Sequence, residues 1–242
     1  MRLLLAAAAA GTSALLTCGL ATAGAYAAGQ GTHASNPIIY TNSQAGYTTT
    51  GGSFRFISTT FTVPAKAYSG GYAEVVLGGA KVVPASLGVA AGGGSNSVVW
   101  NVVGPIGEGM AGGTMNIAPK AGDVVTESIY YNQKGLDYFT VADLTQHQTV
   151  TVSAPPASGV VYTAAEAACL LTKPMPVPAT DVRLWEFTKS AATTYAGVHG
   201  TLNGPWTTNQ VIDVNSAGKV VMSPSLLWNN GQNFGAWLRA AS

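Results

Sequence analysis

Short runs of β-branched and aromatic residues, most of them stopped by glycine or proline, recur along the chain, and no stretch holds a helical period. Phe54 to Val63 ends at Pro64, Val75 to Leu77 at Gly78-Gly79, and Ser97 to Val103 at Gly104-Pro105. Val124 to Tyr131 and Tyr138 to Ala142 flank Asn132-Gln133-Lys134-Gly135, whose composition is that of a hairpin loop, and Thr149 to Ser153 continues the meander. Further runs lie at 159–171, 182–188, 219–222 and 233–239. A helix buries one face by repeating apolar residues every three to four positions, and that repeat is missing. About ten strands at close spacing predict an antiparallel all-β sandwich rather than a βα fold. The stretches Ala90 to Asn96 and Lys173 to Thr180, rich in glycine and proline respectively, read as loops inside the domain.

The N-terminus departs from this pattern. Arg2 precedes an uncharged run rich in Leu, Ala, Gly and Thr up to Ala28, and Ala25-Tyr26-Ala27 supplies a small-x-small cleavage pattern. The expectation is a signal peptide over 1–27, a flexible leader over 28–37 ending at Pro37, and one domain over 38–242, secreted as a monomer. The run is too poor in leucine to favour a retained membrane anchor, and Thr17 before Cys18 fits lipidation poorly. Cleavage after Ala27 would leave Cys169 without a partner in the chain, and its setting beside Ala168 and Leu170 marks it as a buried, inert thiol. Stability then has to come from the core, for which roughly 215 residues suffice.

Charged residues make up 9% of the chain and the net charge is +1. That excludes the basic face a nucleic acid or an anionic membrane would need. His33, His147 and His199 are scattered, with no acidic or cysteine cluster at ligand spacing, so no metal is expected. No cofactor is expected either, for want of a nucleophile elbow, a Walker loop or a dinucleotide fingerprint.

Chemistry centres on Glu166, the only acid between Asp143 and Asp181, set within Thr163-Ala164-Ala165-Glu166-Ala167-Ala168-Cys169-Leu170-Leu171. A carboxylate in apolar surroundings holds its proton to higher pH and becomes a candidate general acid or base; alternation along a strand would equally turn it to water. The opening Thr41-Asn42-Ser43-Gln44-Ala45-Gly46-Tyr47, the strand Thr60-Phe61-Thr62-Val63-Pro64, Val76-Leu77-Gly78-Gly79, Gly88-Val89, Ala121-Gly122-Asp123 and Ala165-Glu166-Ala167 follow one another in order. They are followed by Phe187-Thr188-Lys189-Ser190-Ala191, Ser223-Pro224-Ser225-Leu226 and Gly231-Gln232-Asn233-Phe234 up to Trp237. In that order and spacing the chain resembles the glutamic peptidases, the eqolisin family, over about 200 residues.

The resemblance implies a concanavalin A-like sandwich of two curved antiparallel sheets, with a ligand groove on the concave face. It also implies acid endopeptidase chemistry, in which Glu166 takes a proton from water while a glutamine amide holds the water and the oxyanion. Three positions depart from the family. Ser86 stands where the glutamine belongs, Gln44 where a tryptophan is usual, and Glu74 where another tryptophan precedes a strand. A serine hydroxyl is several atoms shorter than the amide, so weak activity or none is expected.

Glu74, Trp100 and Gln44 are the candidate substrate-binding residues, with Glu166 and Ser86 as the catalytic ones. Glu74 is expected at the rim, pointing outward. Trp206, Trp228 and Trp237 read as packing more readily than as a binding platform. The alternatives to a peptidase are a non-catalytic module binding a polypeptide or glycan in the groove, and a glycoside hydrolase using Glu74 with Glu166.

Overall fold

A computed structural model of the protein describes residues 36–64, 71–79, 82–91, 97–103, 110–132, 135–155, 160–172 and 178–240. The expected signal segment and leader residues 28–35 lie outside the described residues, as does most of each expected loop. Among the described residues no helix is long and apolar enough to cross a membrane.

The described chain is built from strands. They are β1 (Ile38–Thr41), β2 (Gln44–Thr62), β3 (Gly71–Gly79), β4 (Val82–Ala91), β5 (Val98–Val103), β6 (Met110–Met115), β7 (Val124–Asn132) and β8 (Leu136–Asp143). After these come β9 (Gln148–Ala154), β10 (Tyr162–Leu171), β11 (Val182–Thr194), β12 (His199–Thr201), β13 (Thr207–Val214), β14 (Val220–Pro224) and β15 (Phe234–Leu238). The predicted all-β sandwich is therefore the observed architecture, and the predicted hairpin is β7–β8, paired from Val125↔Asp143 to Asn132↔Leu136.

The sequence signal underestimated the strands in two ways. The run Val75 to Leu77 extends over Gly71–Gly79, because glycine there serves close approach rather than termination: a Cβ on Gly79 would sit 2.3 Å from Thr163 Oγ1. The run Phe54 to Val63 is the second half of the 19-residue β2. Its first half, up to Thr50, pairs with β10 and β13, and from Phe54 onward it pairs with β11 and β7. Gly51, at φ 89°, takes a backbone conformation that L side chains avoid, and it lies at this corner.

β2 therefore belongs to both layers. The first runs β1-β13-β2-β10-β3-β4-β5-β6, and the second runs β9-β8-β7-β2-β11-β15-β14. At one end the layers join, because β13 pairs β14 and the path β2-β13-β14-β15-β11 returns to β2. The core fills the space between the layers. From the first layer come Ala73, Val75, Leu77, Leu87, Val98 and Ala167, and from the second Ile57, Phe61, Val125, Ile129, Phe139 and Phe187, all buried. Alternation turns the intervening residues of the first layer to its outer face, which holds the candidate site.

Candidate active site

Pairing register places the candidate residues. On β10, Ala165, Ala167 and Cys169 are fully buried toward the core, so Glu166 points to the outer face. Glu166 pairs with Val76 on β3, Val76 with Ser86 on β4, and Ser86 with Asn101 on β5. Glu166 and Ser86 thus share one row across the sheet, two strand spacings or roughly 10 Å apart. Glu74 belongs to the next row, opposite Ala168 and Gly88. It is the diagonal neighbour of both Glu166 and Ser86. Gln44 lies one row further on β2, opposite Leu170, on the same face.

Sequence reasoning placed Glu74 wrongly. It is buried, 7% exposed, and is not an outward rim residue. Its carboxyl is pushed up to about 7 by burial, and hydrogen bonding from the Ser86 and Gln44 side chains pulls against that rise. Gln44 is itself buried. To reach Glu74 it must span β10, where the residue between them is the small Ala168. Glu74 Oε2 is sealed without a hydrogen-bond partner.

Glu166 is half-buried, yet its Oε1 is sealed and unpaired. Burial first, and then the charge of Glu74, push its carboxyl up to about 8. Among the described residues no cation contributes to either shift. At acidic pH both carboxyls therefore hold protons, so Glu166 is equipped to donate a proton there and to accept one only as pH rises through about 8.

Trp100 is not part of this face. It shares its side of the sheet with Leu87, and its ring packs on Phe139 of the opposite layer at 5.3 Å between centroids. The β5 residue that faces outward in Ser86's row is its neighbour Asn101. The tryptophans read as packing differ among themselves: Trp206 lies edge-on to Phe54 at 5.3 Å and donates its indole N–H to Leu202 O, whereas Trp228 is 40% exposed. Cys169 is fully buried, and burial, then Asp213 and Glu74, push its thiol up, which leaves it inert.

Two further acids escaped the sequence reading. Glu127 on β7 is fully buried, and burial and then the charge of Glu74 raise its carboxyl well above the usual range, opposed only by the Val89 backbone, which falls short of a well-formed hydrogen bond. Asp213 on β13 is buried and pushed up to about 6 by burial. Alternation could have flagged Glu127, which falls in the inward register of Val125 and Ile129; Asp213 instead follows Val211, whose row with Gly46, Ala168 and Glu74 lies on the outer face. A separate cleft of about 490 Å³ opens at the β2 corner, lined by Gly51, Gly52, Tyr195 and Trp206 among others.

No protein-family model matches the chain, and no curated protein matches it in sequence. Solved structures do match. A scytalido-glutamic peptidase with a transition state analog inhibitor aligns at TM-score 0.62 and 17% identity, covering 81% of this chain and 97% of that one. SCP-B, a member of the Eqolisin family of peptidases in complex with the tripeptide Ala-Ile-His, aligns at 0.59 and 18% with the same coverage. Aspergilloglutamic peptidase from Aspergillus niger aligns at 0.50 and 18%, covering 69% of this chain and 98% of that one. Alignment over nearly the whole length of each of these structures leads to one statement: this chain has the fold of the glutamic peptidases.

Proposed function

We propose that the protein is an exported peptide-bond hydrolase of low activity, binding an extended polypeptide across the outer face of its first sheet, with Glu166 as acid/base. The observation that carries this reading is the row formed by Glu166 and Ser86, with Glu74 beside it, on a face made of backbone-rich strands. An extended peptide presents alternating side chains and regular amides, which such a face is suited to meet. The near-neutral charge supports recognition by shape and backbone contacts rather than by electrostatic attraction.

Low activity follows from Ser86. Loss of an oxyanion donor lowers rates by about 10²–10³ in other enzymes, and a hydroxyl at this distance does not replace a long amide. Incubation of an unfolded, fluorescently labelled protein with the purified enzyme from pH 3 to 9 tests the reading. Slow cleavage that Glu166→Gln removes, and that Ser86→Gln accelerates by about tenfold or more, is the expected result. Cleavage unchanged in Glu166→Gln would end it, and binding of the same protein without any turnover would make the chain a binding module.

A further inference from the structure

Position is the first ground. β3 lies between the strands of Glu166 and Ser86, and on it Glu74 is the diagonal neighbour of Glu166. Diagonal neighbours lie about 7–8 Å apart at their Cα atoms, a gap that two long side chains can close. Their environments differ. Each has one sealed, unpaired oxygen, Oε2 of Glu74 and Oε1 of Glu166, but Ser86 and Gln44 also offer Glu74 two neutral donors. Donors favour the ionised form, so the site is asymmetric, with Glu74 the better equipped of the two to carry charge.

We propose that Glu74 and Glu166 form one catalytic pair sharing a single proton, with Glu74 as the base toward water and Glu166 as the acid toward a peptide carbonyl. The inference rests on the peptide-hydrolase reading and assigns it a second carboxylate in place of the missing amide. Gln44 and Ser86 are positioning residues for Glu74.

The surrounding charges act in one direction. The charge of Glu74 acts on Glu166 and on Glu127 of β7, and Asp213 of β13 acts with it on Cys169; none of these groups is cationic. Burial keeps protons on both carboxyls; the donors pull against it at Glu74, which is pushed up to about 7, and the charge of Glu74 adds to it at Glu166, which is pushed up to about 8.

The reaction balances with water alone. Glu74 takes a proton from water as its oxygen bonds to the carbonyl carbon. The carbonyl π bond breaks, and its oxygen takes the proton of Glu166, which gives a neutral gem-diol. The C–N bond then breaks as the proton on Glu74 passes to nitrogen. One gem-diol hydroxyl returns its proton to Glu166 as the carbonyl re-forms, so an acid and an amine leave and both side chains are restored.

The test compares wild type with Glu74→Gln and Glu166→Gln on the labelled unfolded protein, alongside a carboxyl NMR titration of each. A narrow bell-shaped pH profile centred between about 7 and 8 is expected, with kcat falling about 10²-fold or more in Glu74→Gln and KM little changed. In the titration, Glu74→Gln should lower the midpoint of Glu166 by about one pH unit, a change that a merely structural role would not cause. Cleavage that needs Glu166 but survives Glu74→Gln with an unaltered profile would remove the pair and leave the hydrolase reading intact. No cleavage by wild type at any pH would remove both, and hydrolysis of a polysaccharide dependent on both carboxyls would overturn the assigned substrate. Independent midpoints in the titration would also overturn the pair, even for an inactive protein.

Discussion

Glu127 lies between the layers with both carboxylate oxygens sealed and unpaired, so folding holds it in its neutral form. Neutral Glu127 contributes no ion pair, and replacing it by an apolar chain of similar size removes a group that prefers water. Glu127→Met should raise the melting temperature at pH 8 by roughly 5–10 °C, and by less at pH 4, where the unfolded chain is also protonated. A lower melting temperature at pH 8 in calorimetry would show that the Val89 backbone holds the carboxyl more firmly than this reading allows. Residues of this kind mark how far the sequence could be read. Glu166 was legible because an acid stood alone in an apolar run. Glu127 was not, because Thr126 and Ser128 beside it gave its strand a polar look, and only its parity with Val125 and Ile129 turns it inward. Glu74 was read as standing just before a strand and exposed, whereas it lies within β3 and is buried, with Ser86 of the neighbouring β4 and Gln44 of the earlier β2 beside it.

Among the elements, β2 and β10 carry the tightest constraint. A Cβ on Gly46 would fall 2.3 Å from Ala167 O and 2.7 Å from Ala168 Cβ, so the two strands meet there without room for a side chain. Gly46→Ala should force them apart beneath Glu166 and Gln44, and we expect a loss of about 1–3 kcal/mol in urea unfolding. Gly218 is the control, for an added Cβ meets nothing within 4 Å and only its φ of 75° is strained. Equal effects of the two substitutions would contradict the tight contact. The hairpin β7–β8 was readable from local composition, whereas the division of β2 between two layers was not. A strand that changes sheets keeps its alternation, and the glycines at its corner look in sequence like the end of one strand and the start of the next.

For the whole molecule, the raised carboxyls set the response to pH. Glu74, Glu127 and Glu166 all keep protons in the folded state beyond the pH at which the unfolded chain releases them, near 4.5. Their stabilising effect is complete below that value and is lost as pH rises through about 7 and 8. Chemical denaturation should therefore show the highest midpoint at mildly acidic pH and a decline of a few kcal/mol toward pH 9, opposed only weakly by surface pairs such as Arg239–Asp181. A midpoint that climbs from pH 5 to 9 would mean that these groups ionise freely in the fold. The ring β2-β13-β14-β15-β11 has a different consequence, one of timing. The meander β7-β8-β9 can pair as soon as residue 154 has been synthesised, but the ring needs Phe234 of β15, which lies 5.2 Å from Tyr47 and stacks on Phe187 at 4.6 Å. Strand β2, made early, must therefore wait for partners more than 150 residues downstream, so the chain completes its fold late and slowly, after the ribosome has released most of it.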